Sequence, residues 1–167
     1  MQVVAAFPGC GKSTFFRLLK EQNVNRPPSD SDSSQFDKSQ FPQNYLDHIA
    51  ERCMRYQSTF TSTHDVVRQG LVDRRIPFIL AYPDRALCKE EYVKRYIDRA
   101  GTGGLMNEDE TPFARLMEKN WDAWIQECEA QKSCVHVVLK PGQFLSDVID
   151  FQFGEFQLKQ GVDYWLR

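Results

Sequence analysis

The chain lacks an apolar run approaching the roughly 20 residues that cross a membrane, so no membrane partner is expected. It also lacks a Cys-x-x-Cys pair: Cys10, Cys53, Cys88, Cys128 and Cys134 are odd in number and widely spaced, which excludes a disulfide scaffold and points to reduced thiols. His48, His64 and His136 do not cluster with those cysteines, so no zinc site is expected. Net charge is small as well, −2 with a pI near 5.9, which argues against a dedicated non-specific nucleic-acid binder. The first apolar segment starts at residue 2 and leaves no room for a signal peptide, so the expected location is the cytoplasm.

What is present is one domain's worth of ordinary globular sequence, 167 residues and 41% hydrophobic. Its organising stretch is Ala6-Phe7-Pro8-Gly9-Cys10-Gly11-Lys12-Ser13-Thr14. Before it, Gln2 to Phe7 is apolar and β-branched and reads as a buried strand; after it, Thr14 to Lys20 carries apolar residues on one helical face. Strand, Gly-rich turn, Gly-Lys-Ser and helix make the context of a phosphate-binding P-loop. The loop's backbone N–H groups would form an anion nest at a helix N-terminus. Pro8, Gly9, Cys10, Gly11, Lys12, Ser13 and Thr14 are therefore the candidate nucleotide-binding residues. Lys12 would reach the terminal phosphates and the Ser13 hydroxyl would hold Mg²⁺. Ala6 stands where the motif has its first glycine, and it fits if φ there is negative.

Downstream, residues 23–42 are polar and rich in Pro and Ser, a loop by composition, with a short strand or extended turn ending at Asp30. Tyr45, Leu46, Ile49, Cys53 and Met54 recur at helical steps after Pro42. Ser58–Thr63 reads as a strand, Val66–Val72 as a helix led by Asp65, and Ile76–Tyr82 as a strand buried on both faces. Residues 85–99 form a basic amphipathic helix running into a glycine cluster, so 85–110 is lid-like. Thr111 and Pro112 open a long helix through about Gln131, with Thr111 as N-cap and Pro112 first. Ser133–Lys140 is a strand and Phe144–Ile149 a short helix; the aromatic tail 151–167 carries no functional assignment. This alternation predicts a three-layer α/β/α sandwich.

No GTPase-type Asn-Lys-x-Asp occurs, and no strand ends in the acidic Walker B residue of many P-loop ATPases. The nearest carboxylates are Asp30 and Asp32. A P-loop opening a chain of this length, with Asp-x-Asp after the expected second strand, resembles the small P-loop kinases. These include shikimate-, gluconate- and polynucleotide-kinase-like enzymes and the nucleoside monophosphate kinases. Asp30-Ser31-Asp32 paired with Ser62-Thr63-His64 is also similar to phage-encoded kinases such as the 5-hydroxymethyluracil DNA kinases, which would act in the host cytoplasm. The resemblance implies a P-loop NTPase fold over residues 1–167, a parallel sheet of about five strands in the order 2-3-1-4-5, and a mobile basic lid.

It also implies that one aspartate sits near Mg²⁺ and the other binds an acceptor hydroxyl. A phosphate acceptor needs no base, whereas a hydroxyl gains from a carboxylate that orients it and takes its proton. The expected activity is Mg²⁺-dependent transfer from ATP or GTP to a hydroxyl on a nucleotide-like or nucleic-acid acceptor. Asp30 or Asp32 would be the base and the other, Asp30 by preference, would lie near the metal. Arg95 and Arg99, four apart on a helical face, are candidates to clamp the transferring group; the alternative is a Glu91–Arg95 surface pair. His64 and Arg68 are candidate acceptor contacts, with structural roles as the alternative. Two other functions fit the same motif, a nucleoside monophosphate kinase and a nucleotide-binding regulatory protein without turnover.

Overall fold

Val3–Ala6 (β1) is buried along its whole length, and it takes the centre of a sheet because both of its faces need apolar cover. The computed structural model of the chain describes residues 1–101 and 110–167; at 99–101, 110 and 111 it describes the backbone alone. Among the described residues the further strands are Ser29–Asp30 (β2), Thr59–Thr61 (β3), Phe78–Pro83 (β4), Val135–Leu139 (β5), Ile149–Gln152 (β6), Glu155–Leu158 (β7) and Tyr164–Leu166 (β8). The helices are Lys12–Glu21 (α1), Gln43–Met54 (α2), Asp65–Asp73 (α3), Lys89–Gly101 (α4), Glu110–Ala130 (α5) and Leu145–Val148 (α6).

The main sheet runs β2-β3-β1-β4-β5-β8. Its first five strands are parallel, in the expected order 2-3-1-4-5, and β8 joins β5 antiparallel. The chain is thus α/β, with a mostly parallel sheet. Because those five strands point one way, the segments that leave them gather at one edge, where ligands of such sheets bind.

Helices cover both faces. On one, Phe15 of α1 packs against Phe60 of β3, which also meets Phe156 of the β6–β7 hairpin. On the other, the absent side chain of Gly70 in α3 makes room for Leu46 of α2: a Cβ there would stand 2.2 Å from Leu46 Cδ1. Arg68 of α3 in turn reaches the carbonyl of Glu127 in α5. Where α4 and α5 meet the sheet, Trp121 is fully buried against Phe7 and Tyr92, with its indole N–H on the Arg85 carbonyl. The Trp stripe is core, as a helical apolar face normally is.

The tail extends the core instead of trailing from it. Phe151 and Phe156 are buried, and Trp165 stacks on the buried His136 ring at 5.4 Å. That ring is fully engaged: its Nε2 donates to the Gln131 carbonyl at 2.9 Å, and Nδ1 accepts from Tyr82 Oη at 3.1 Å.

Two boundaries differ notably from expectation. The third strand is confined to Thr59–Thr61, because Ser62 onward turns into α3. The long helix begins at Glu110, which makes Pro112 its third residue. Most of the lid-like segment's glycine cluster, 102–109, lies outside the described residues. No described helix is long and apolar enough to cross a membrane, and the five cysteines are free.

Replacing Trp121 by Ala should remove about 3–5 kcal/mol of stability, the usual range for emptying a large buried aromatic site. Urea unfolding should show a lower midpoint with an unchanged m-value.

Candidate functional site

The loop between β1 and α1 begins where Ala6 still pairs in register with Ala81 of β4, so the alanine at the motif's first position is ordinary strand. Beyond it the backbone reaches positive φ at Gly9 (88°) and Gly11 (90°). Both glycines are also required by close packing. A Cβ at Gly9 would stand 3.0 Å from Tyr92 Cδ1, and one at Gly11 would stand 2.8 Å from Phe144 Cδ1. The ladder of α1 starts with Phe15 N–H on the Gly11 carbonyl, and no side chain caps the helix. The first-turn N–H groups, from Lys12 to Thr14, therefore have no intrahelical acceptor and point out of the helix end. Cys10, expected among the nucleotide-binding residues, is turned inward. Its N–H donates to the Phe7 carbonyl at 3.1 Å and its carbonyl accepts from Leu145 N at 2.9 Å. Its thiol is buried beside Tyr92 Oη at 3.4 Å, where burial pushes its pKa up to about 12.

Arg95 locks this loop from α4. Its guanidinium lies between the rings of Tyr92 and Phe144, 4.4 and 4.0 Å from their centroids. It donates to the Gly9 carbonyl at 2.7 Å and to the Gln143 carbonyl at 3.1 Å, and it pairs with Glu91. Glu91 also accepts from Gly142 N at 2.9 Å, which joins α4, the glycine loop and the β5–α6 turn. The expected Glu91–Arg95 pair is therefore present, but Arg95 is committed to backbone carbonyls and is not a free clamp. Arg99 follows in α4, and its side chain lies outside the described residues.

Opposite the loop stands Asp30, the last residue of β2. Its carboxylate lies 3.3 Å from the Lys12 ammonium and 3.4 Å from the Ser13 hydroxyl, which donates to it. Strand alternation explains this. Ser29 and Ser31 turn their hydroxyls to Thr59 Oγ1, at 2.8 and 2.7 Å, and the latter continues to His48 Nε2 at 3.1 Å. Asp30, between them, must face the other side, where α1 begins. Its Oδ1 is buried, and apart from Lys12's charge it has no hydrogen-bond partner.

A carboxylate and a hydroxyl are hard oxygen ligands at suitable spacing for Mg²⁺, which takes one or two protein ligands and completes its shell with phosphate and water. No described cluster of three His, Cys, Asp or Glu forms an all-protein metal cage. Ser13 and Asp30 thus fit Mg²⁺ held jointly with a phosphate.

Asp32 plays a different part. It N-caps the 3-10 turn Ser33–Gln35, accepting from Ser34 N at 2.9 Å, and its side chain is exposed. Burial works against its charge, but the Ser34 bonds and the Lys12 and Lys38 charges hold its carboxyl below the ordinary 3.8. His64 sits at the surface at the start of α3, edge-on to Phe41 at 5.8 Å. Partial desolvation, then Lys38 and Arg68, keep its imidazole below the ordinary value against the pull of Asp65. Lys38 lies over the Phe41 ring at 5.6 Å. Asp32, Lys38, Phe41 and His64 therefore line one flank beside Asp30. Tyr45 does not offer its ring to a ligand: it is fully buried, donates to the Ser31 carbonyl at 2.6 Å and accepts from Ser62 N at 3.2 Å.

Arg68 does not join this group. Its side chain is 3% exposed and donates to the Glu127 carbonyl at 2.8 Å, so it ties α3 to the end of α5. The expectation that it contacts an acceptor phosphate gives way to that internal role. The residues missed by sequence reasoning are Tyr92, Phe144 and Lys38. The first two lie far along the chain from the loop they support, and Lys38 sits in a stretch that composition marks only as loop.

No protein-family model and no curated protein matches the chain. A similar solved structure is the crystal structure of an uncharacterized protein from Eubacterium ventriosum ATCC 27560. It is 15% identical, covers 88% of this chain and 93% of its own, and has a TM-score of 0.40.

Two measurements test this geometry. Gly11→Ala meets both a positive φ and Phe144, so it should cost more than the ~1–2 kcal/mol of backbone strain alone. Gly154→Ala, at φ 82° with open space around it, should carry the strain cost only, and urea unfolding of the two variants reads the difference. The depressed Asp32 carboxyl contributes stability above its unfolded pKa, and that contribution is lost as pH falls through the folded value. The stability gap between wild type and Asp32→Ala, expected at ~0.5–1 kcal/mol near neutrality for a lost cap, should therefore close below about pH 4.

Proposed function

We propose that the chain is a P-loop kinase, a phosphotransferase of the three-layer α/β/α class. It transfers the γ-phosphoryl group of ATP or GTP, with Mg²⁺, to a hydroxyl on a nucleotide-like or nucleic-acid acceptor such as a hydroxymethylated pyrimidine in DNA. The observation that carries this reading is the meeting of Lys12 and Ser13 with Asp30, at 3.3 and 3.4 Å, beside a loop whose glycines hold positive φ.

The roles follow from the chemistry. Open N–H groups at the start of α1 bind phosphate oxygens, and Lys12 neutralises the charge that develops between donor and acceptor. Bound Mg²⁺ supplies charge neutralisation on the phosphates. Ser13 and Asp30 are the residues that hold it. Lys12 leaves its pairing with Asp30 when a triphosphate competes for the ammonium. Asp32, exposed and ionised at neutral pH, orients the acceptor hydroxyl and takes its proton. Its depressed pKa makes it a weak base, which suits a loose transition state in which positioning outweighs proton abstraction. Lys38, Phe41 and His64 border the space the acceptor enters, offering a cation, an aromatic face and a neutral imidazole. Arg95 acts through the loop it braces.

Labelled γ-phosphate should pass from ATP or GTP to at least one of a panel of nucleosides, hydroxymethylated DNA and DNA 5′ ends. Asp30→Asn and Asp32→Asn should each lower transfer by about 10²-fold. Transfer confined to nucleoside monophosphates would overturn the hydroxyl assignment. Tight nucleotide binding with no transfer across the panel would overturn the kinase reading itself.

A further inference from the structure

Among the described residues, neither β3 nor β4 ends in the acid that holds the metal's water in many P-loop proteins, and the structure offers a substitute at the end of β3. Two buried hydroxyl oxygens at the end of β3, Thr61 Oγ1 and Ser62 Oγ, have no hydrogen-bond partner. An unpartnered buried polar atom is destabilising, so each calls for a reason. Position separates the two. Thr59 bonds Ser29 and Ser31, so Thr59 and Thr61 share the face that carries α2. Phe60 packs on Phe15 of α1; Ser62 is the first residue past the strand, and its N–H lies on Tyr45 Oη, a hydroxyl within electrostatic reach of Asp30. Asp30 is paired in register with Phe60 on the neighbouring strand.

Ser62 is also held in place. Its N–H donates to Tyr45 Oη at 3.2 Å, and that hydroxyl donates to the Ser31 carbonyl at 2.6 Å. Tyr45 thus fixes the two strand ends side by side, at the sheet edge where Asp30 meets Lys12 and Ser13. Three features converge there: the Asp30 Oδ1, held only by the Lys12 charge, the unpartnered Ser62 Oγ and the open helix end.

We propose that Ser62 is a positioning residue for Mg²⁺, bonding a water of the metal's shell in the place of the missing strand-end acid. This rests on the phosphotransfer reading above. Mg²⁺ keeps several waters when it binds protein and phosphate together, and those waters need acceptors. A serine hydroxyl accepts from a metal-bound water and adds no charge, so the site's negative charge stays on Asp30 and the phosphates. Thr61, on the opposite face, has no part in it.

The test is a Mg²⁺ titration of the equilibrium affinity for a non-hydrolysable ATP analogue, repeated with the GTP analogue, followed by calorimetry. Wild type should bind more tightly as Mg²⁺ rises. In Ser62→Ala the Mg²⁺ concentration at half-effect should increase about fivefold, the loss of one hydrogen bond, with affinity in the absence of Mg²⁺ unchanged. Ser62→Thr keeps the hydroxyl and should restore the wild-type midpoint, and Thr61→Val should match wild type throughout. A wild-type midpoint in Ser62→Ala, or an equal shift in Thr61→Val, would overturn the proposal while leaving the kinase reading intact. Wild type that binds neither analogue, or binds without any Mg²⁺ effect, would remove both.

Discussion

The carbonyl of Gly9 accepts a hydrogen bond from Arg95, and the conformation of the glycine loop depends on that contact. Gly9 and Gly11 lie in a part of backbone space that glycine enters freely, so freedom alone would leave the loop with many shapes. The surroundings narrow them. Tyr92 fills the space behind Gly9, Phe144 fills that behind Gly11, and the guanidinium between their rings ties the loop to the turn after β5. Only glycine admits such close ring contact, and only a planar cation with several donors can stack on two rings and bond two carbonyls at once. The open N–H groups of α1 keep their direction because what precedes them is held from behind.

The second constraint is the alternation along β2. Ser29 in the strand and Ser31 just past it place their hydroxyls on one face, and Asp30 between them faces the other. On the serine side a chain of hydroxyls runs from Ser29 through Thr59 and Ser31 to His48, satisfying polar groups that a sheet interior would otherwise leave bare. On the other side, Asp30 meets Lys12 and Ser13. Asp30-Ser31-Asp32 therefore turns its middle serine to the sheet's hydroxyl chain and its first aspartate to Lys12 and Ser13. Asp32, one step further, caps the turn that carries the chain away. A one-residue slip of β2 would exchange these faces and dismantle both.

What was legible in the sequence follows the range of each signal. The glycine loop, the strand before it and the helix after it are local patterns, and they are where expected. A strand ending at Asp30 was legible despite a composition that reads as loop, because position after the first helix outweighs propensity in a two-residue strand. Arg68 shows the opposite limit. Its place one turn after His64 suggested a ligand contact, but a helix has several faces, and this one turns inward to α5, 59 residues further on. The tail was opaque for a similar reason: Trp165 gains its meaning from His136, and Phe156 from Phe60. Contacts of that kind have no signature in either segment alone.

Charge placement joins these constraints. The loop, the helix end and Lys12 make one positive centre, and an empty positive centre beside the apolar core would be poorly balanced. Asp30 supplies the balance at 3.3 Å from the ammonium, close enough to hold Lys12 extended. On the kinase reading proposed above, a bound triphosphate would take over that task with greater charge and release Asp30 toward a cation. Arg95 is not exchangeable in the same way, because its donors already meet carbonyls that the loop would otherwise leave unsatisfied. The lysine is thus the exchangeable cation of the site and the arginine the fixed one. The difference lies in what each side chain can bond: a single ammonium moves between partners, while a fork stacked between two rings holds its place.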